Sequence, residues 1–423
     1  MKAKPLMLVA ALLLFSIPYF SGLKSVPFHP DESTQIYTSD DVRLFFKNPS
    51  LLFWNANLND LRQHYRLIDS PLSRSLIGLG RLLTNQPALP NDWDWSKTWD
   101  ENVAADALPS TTLLLISRLS VSIFFPLALL FMYLAAQKSA GPIAAWTALL
   151  LTATNAYLLL HGRRAMSEGI LFFSISLFAW GLFSWRKHPW LLAVPAALSF
   201  TAKYSSAPLA LIGILAMLWP ESPRSWRLRL LDSLRFGLLF TLLVFALHPI
   251  FWQNPIQAIP VALQARQALV ANQVSTLASL QPEQILISPI QRLSGLIIQL
   301  FLAPLAIADV GNYLSQTQTS ANAYLANPFN TLLRSFIGGG ILLALTFTGP
   351  LLGAVNFLRN KQLPRSLIFL CLTTIVQLIF LIATIPLPFQ RYAMPLLPWC
   401  ILCQAFAIQY LMMRFFKKSP PTS

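Results

Sequence analysis

A few residues beyond the first apolar stretch, the run His29-Pro30-Asp31-Glu32-Ser33 sets two adjacent carboxylates behind a proline. Proline and acids suit the opening turn of a helix, so a helix N-terminus is one reading of this run. General-base chemistry is the other: a positioned carboxylate can take the proton of a hydroxyl too weakly acidic to ionise unaided. Further along, ionisable groups interrupt apolar sequence at His161-Gly162-Arg163-Arg164, at Glu168, at Lys203-Tyr204, at His248-Pro249 and at Arg391-Tyr392. Such groups at membrane depth are rare and usually line functional cavities. Arg and Lys hold the charge that grows on a phosphate leaving group, which makes Arg163, Arg164, Lys203 and Arg391 candidate phosphate ligands. Asp31 is the candidate base, with His29 placed to orient it. Glu168 and His248 could bind a divalent metal cation near that phosphate, although two ligands are too few to identify one, and no cofactor is certain.

The elements that must position these groups are set by lipid. The chain has 423 residues, is 55% apolar and is only 11% charged, too few charges for a water-facing surface of ordinary density. Apolar runs cover residues 6–23, 113–136, 143–160, 170–185, 190–202, 207–219, 236–250, 336–358, 366–385 and 394–413. Most are long enough to cross a hydrocarbon core of about 30 Å. The expected fold is therefore all-α, a single polytopic membrane domain over residues 1–423 with about ten transmembrane helices, in the plasma or inner membrane. The first run follows Lys2 and Lys4 and has no clear small-residue cleavage site, so it reads as an uncleaved helix. Basic residues then alternate with the spans: Lys138; Arg186 and Lys187; Arg224, Arg227, Arg229 and Arg235; Arg359, Lys361 and Arg365; Arg414, Lys417 and Lys418. By the positive-inside rule both termini are cytoplasmic. The formal net charge of +15 is explained by those loops and by anionic headgroups, and no nucleic-acid-binding module interrupts the apolar pattern.

Two long stretches, 24–112 and 251–335, fall outside the membrane on the non-cytoplasmic side. The first carries the run Asp92-Trp93-Asp94-Trp95, which reads as headgroup-level tryptophans or as a sugar-stacking surface within a cap of short helices and turns. In the second, 293–307 is apolar but broken by Pro304 and followed by Asp309, which predicts a re-entrant or interfacial helix. Cys371, Cys400 and Cys403 lie in apolar segments and predict no disulfide. Neither G-x-G-x-x-G nor a Walker-type loop occurs, which argues against a nucleotide-driven pump and a Rossmann-type nucleotide-sugar enzyme.

Taken together, Pro30-Asp31-Glu32 after the first helix, Arg118-Leu119, the Gly162-Arg163 to Glu168 stretch, Thr201-Ala202-Lys203-Tyr204, His248-Pro249 and Arg391-Tyr392 with Pro395 resemble the GT-C membrane glycosyltransferases. The branch most like it is that of the protein O-mannosyltransferases and the bacterial aminoarabinose and related lipid-phosphate-sugar transferases. The resemblance implies a polyprenyl-phosphate-sugar donor, transfer with inversion on the outer face, and a first-loop Asp as base. That role falls on Asp31 with Glu32 in support, phosphate binding on Lys203, Arg391, Arg163 and Arg164, and supporting roles on Tyr204, Tyr392 and His29. The acceptor is left open among lipid, glycan and protein. Two other readings are a polytopic transporter or lipid flippase of the cell envelope, and a non-catalytic scaffold of an envelope polysaccharide system. Transporters commonly show paired halves and mid-membrane polar groups; here the halves look dissimilar and the charges gather at one face.

Overall fold

The computed structural model describes residues 3–185, 187–220, 224–308, 313–360 and 364–416. Lys2, Arg186, Lys361, Lys417 and Lys418, on which the expected orientation partly rests, and Asp309 lie outside them. Among the described residues all regular structure is helical. Lipid offers the backbone no hydrogen bonds, so a spanning segment must close them within itself.

Among the described residues, six helices are long and apolar enough to cross a membrane: Thr111–Ser139, Ser167–Ser184, Trp226–Leu247, Phe336–Val355, Arg365–Thr384 and Gln390–Arg414. Five further apolar helices are shorter: Pro5–Ser21, Pro142–Ala153, Pro189–Ala202, Tyr204–Leu218 and Pro289–Leu302. Local breaks account for the short ones. The 143–160 segment splits into Pro142–Ala153 and Ala156–His161 because Asn155 caps the second helix, its Oδ1 accepting from the Leu158 amide at 2.9 Å. A helix of twelve residues rises only about 18 Å. At Lys203 the backbone is extended, with φ −160°, between Ala193–Ala202 and the turn Tyr204–Ser206. The 293–307 stretch runs as Pro289–Ile297, continues as a π-helical turn Ile298–Leu302 and leaves the helix at Ala303.

Close packing fixes where these breaks fall. A Cβ on Gly169 would lie 2.7 Å from the Gly162 carbonyl oxygen, so the helix Ser167–Ser184 starts flush against the turn that precedes it. Behind it, Leu171, Phe178, Trp399 and Ile401 sit in one fully buried apolar core.

Between the first helix and Thr111 the chain builds a cap from the helices Pro30–Thr38, Asp41–Lys47, Leu61–Ile68, Leu72–Leu83 and Trp99–Ala104. Its interior is held by charge: Asp41 accepts from Arg66 Nη2 at 2.7 Å and lies 3.5 Å from Arg74 Nε. The long helix Pro255–Leu280 rests on Leu61–Ile68 through Leu67, Ile68, Ile250 and Ala262, and Arg266 reaches to 3.8 Å from Asp69. Both long polar stretches therefore meet on the same side of the bundle.

Candidate active site

Asp31 stands in the first turn of the helix Pro30–Thr38, where proline at the first helical position needs no N–H partner. His29 is the N-cap: its Nδ1 accepts from the Asp31 amide at 3.1 Å, which leaves the ring proton on Nε2. Glu32 closes the capping box, accepting from the His29 amide at 3.0 Å. The two acids then part company. Glu32 is fully buried and takes a bidentate pair from Arg118, Nε at 2.7 Å and Nη2 at 2.8 Å, plus the Ala165 amide at 2.8 Å. Burial by itself would raise the Glu32 carboxyl, but Arg118, with Arg164 and the Ala165 amide, holds it below the ordinary carboxylate range. Arg118 also donates to the carbonyls of Leu23 and Val26, so one side chain ties the loop after the first helix to the helix bearing Asp31.

Asp31 retains 29% side-chain exposure and pairs with Arg391 Nη1. Tyr392 lies between two cations, its ring centroid 5.8 Å from the Arg391 guanidinium carbon and 5.3 Å from Lys203 Nζ. Lys203 Nζ donates to Glu168 Oε1 at 2.6 Å and keeps 18% exposure. One acid and two cations from residues far apart in sequence thus meet around one aromatic ring. Tyr204 adds a hydroxyl that bonds His248 Nε2 at 3.2 Å.

Arg391 is held by its neighbour. Gln390 is fully buried; its Oε1 accepts from the Ala306 amide at 3.0 Å, and its Nε2 donates to the carbonyls of Gln299 and Pro304, each at 3.1 Å. Tyr157 Oη donates to its carbonyl at 2.9 Å. Replacing Gln390 by leucine strips the side-chain partner from three part-buried main-chain groups, an expected loss of about 1–3 kcal/mol for a group left unsatisfied. Thermal unfolding in nanodiscs reads that loss, and an unchanged unfolding temperature would count against a positioning role for Gln390.

The other candidates are placed differently. Arg163 is buried and spends its donors on the carbonyls of Tyr19 and Pro18, on Tyr324 Oη and on Asn330 Oδ1, at 2.8–3.2 Å. Arg164 is likewise buried and donates to the carbonyls of Pro27 and Ile307. These two arginines stitch the first helix and the second long stretch to the turn that carries them, and the structure does not bring them onto the exposed edge with Asp31.

Glu168 and His248 do not make a metal cage. His248 has Nδ1 on the Val244 carbonyl at 2.6 Å and Nε2 on Tyr204, while Glu168 gives one oxygen to Lys203 and has the other buried without a partner. Among the described residues no three His, Cys, Asp or Glu side chains group to hold a metal ion. Lys203 and Tyr204 thus occupy one oxygen of Glu168 and Nε2 of His248, and only the second Glu168 oxygen is left open to a cation.

Sequence reading missed a second acidic group beside Asp31. Tyr65 Oη donates to Asp92 Oδ2 at 2.5 Å, and the fields of Asp31 and Asp69 also reach the Tyr65 hydroxyl. Burial pushes both Asp69 and Asp92 above the usual carboxylate range, and the Asp31 charge adds to it. Nothing local marks Asp69 in the sequence; the Asp-Trp run at Asp92 was the available signal.

No family model matches the chain, and no curated protein sequence is significantly similar. Solved structures are. The crystal structure of the Archaeoglobus fulgidus oligosaccharyltransferase in complex with Zn and sulfate superposes with a TM-score of 0.52 at 14% identity, covering 97% of this chain and 49% of that one. The oligosaccharyltransferase AglB from the same organism, in complex with an inhibitory peptide and a dolichol-phosphate, gives a TM-score of 0.51 at 12% identity, covering 99% of this chain and 52% of that one. The oligosaccharyltransferase of the first comparison, tethered with an acceptor peptide, gives 0.52 at 13% identity, with 97% and 50% covered. This chain spans about half the length of those structures, 49% to 52%. At such identities the likeness speaks for the fold alone: nearly the whole chain adopts the fold of about half of the archaeal oligosaccharyltransferase.

Proposed function

We propose that this chain is an inverting glycosyltransferase that moves a sugar from a polyprenyl-phosphate donor to an envelope acceptor on the extracytoplasmic face of the plasma or inner membrane. The observation that carries it is the meeting of Asp31, Arg391, Tyr392 and Lys203 at one partly exposed place. In the step, the acceptor oxygen forms a bond to the anomeric carbon from the face opposite the phosphate. The anomeric carbon–oxygen bond breaks and its electron pair goes to the phosphate oxygen. The acceptor proton passes to an Asp31 carboxylate oxygen. Arg391 and Lys203 hold the charge that builds on the departing polyprenyl phosphate. A phosphate beside Arg391 competes with Asp31 for the guanidinium, so donor binding loosens the pair and leaves the base readier for a proton. Glu32 supports the base by fixing its helix, His29 by capping it, Tyr392 and Tyr204 by flanking the cations, and Arg163 and Arg164 act through the scaffold.

The family branch we assign is that of the protein O-mannosyltransferases and aminoarabinose transferases, with a hexosyl or pentosyl donor. Ten crossings with both termini cytoplasmic put Asp31, Lys203 and Arg391 on the outer side.

The test is transfer from radiolabelled polyprenyl-phosphate sugars in proteoliposomes. Arg391→Ala and Lys203→Ala are each expected to lower kcat by about 10²–10³-fold, the cost of removing a group aimed at transition-state charge. Accumulation of label inside sealed vesicles without covalent product would replace this reading with transport.

A further inference from the structure

We propose that Trp95 is the platform on which a pyranose ring stacks beside Asp31; this deepens the glycosyltransferase reading and rests on it. The loop that carries Trp95 is built to be rigid. Asn102 is buried, donates from Nδ2 to the carbonyls of Asp94 at 2.9 Å and Thr98 at 3.0 Å, and accepts from the Asp94 amide at 2.8 Å. Thr98 and Glu101 close a capping box on the helix Trp99–Ala104, and Asp94 accepts from the Ser96 amide at 2.9 Å. On this frame the two tryptophans have opposite fates. Trp93 is buried against Phe28, with ring centroids 5.8 Å apart, and against Trp99, at 5.3 Å. Trp95 keeps 41% exposure, with its ring 6.4 Å from that of His29 and 6.1 Å from that of Tyr313. His29 is the cap of the helix whose first turn bears Asp31, so the exposed indole packs edge-on against the cap of the helix that carries the base.

A pyranose has a C–H face that packs on an aromatic plane and a rim of hydroxyls that need polar partners. The same loop carries the Trp93 Nε1 donor, buried without a hydrogen-bond partner although such donors ordinarily must be satisfied. Headgroup anchoring explains an exposed tryptophan in general, but it does not explain edge contacts to the cap of the catalytic helix or an orphaned indole N–H in the same loop. The ring that stacks can belong to the donor sugar or to a glycan acceptor.

The test is saturation-transfer NMR on the full chain in nanodiscs, with methyl α-mannopyranoside and methyl α-glucopyranoside as probes. In the wild type, saturation is expected to reach the ring C–H protons. Trp95→Ala is expected to weaken that binding about fivefold to tenfold, while Trp95→Phe retains part of it. Asp31→Asn is expected to keep it, which separates binding from the transfer step. Displacement of the probe by a short-chain polyprenyl-phosphate mannose assigns the platform to the donor sugar; retention assigns it to the acceptor. Equal saturation in the wild type and in folded Trp95→Ala, or no saturation in the wild type, overturns the proposal even if transfer continues. Pyranoside binding at Trp95 in a chain that transfers no sugar would overturn the enzymatic reading and leave the platform standing.

Discussion

Asp31→Asn is expected to slow sugar transfer by roughly 10²–10⁴-fold, the range a positioned general base supplies, while the chain stays folded. Asparagine keeps the size and the place in the first helical turn but cannot accept the acceptor proton at neutral pH. The fold should tolerate it because Asp31 is 29% exposed and its bond to Arg391 is not what seats the helix; the buried Glu32–Arg118 pair does that. Loss of the acid also removes the counter-ion that competes for Arg391, so donor binding should hold or tighten while kcat falls. That split between kcat and KM is the signature of a base rather than of a binding residue. Asp31→Glu, one methylene too long, should recover only part of the rate. Full activity of Asp31→Asn in proteoliposomes would remove Asp31 from the mechanism, and with it the reason for placing chemistry at this site.

The second large effect is on stability. Arg118→Met leaves Glu32 buried at 0% exposure without its paired cation, and breaking one side of a buried pair typically costs about 3–5 kcal/mol. The matching double variant, Glu32→Met with Arg118→Met, should recover much of that, because no charge is then stranded. Denaturant unfolding of nanodisc-embedded protein measures both. The pH dependence has a definite sign. The folded pKa of Glu32 is depressed, so its contribution is present in full above the unfolded value of about 4.3 and is lost as pH falls through the lower folded value. Glu32→Gln should be less stable than the wild type at neutral pH, and that deficit should shrink as the pH drops below about 4. A deficit independent of pH would mean that the pair contributes no linked proton.

How much of this was legible depends on the kind of signal. Apolar run length is a local property, so the all-helical class and the position of most long helices could be read directly from segments such as 366–385, observed as Arg365–Thr384. The same rule placed the break at Lys203, between 190–202 and 207–219, but passed over the one at Asn155. A helix can stop inside an apolar stretch only where other parts of the chain satisfy its freed backbone, and those parts are remote in sequence. The order of charges along the chain pointed to Asp31, Lys203 and Arg391, which the fold brings together around Tyr392. It did not divide the cations Lys203 and Arg391 from Arg163 and Arg164, which carry the same charge.

The sequence by itself determined the solvent and the inventory: a 55% apolar chain has to satisfy its backbone as helices in lipid, and its few charges must gather where they find partners or substrate. Only the tertiary structure decided which charges do which. Arg163 and Arg164 meet main-chain carbonyls and become scaffold, Glu32 meets Arg118 and becomes an anchor, and Asp31, one residue away, stays partly open beside Arg391. The physical reason is that a charged side chain is defined by what satisfies it, and those partners lie up to 360 residues away along the chain.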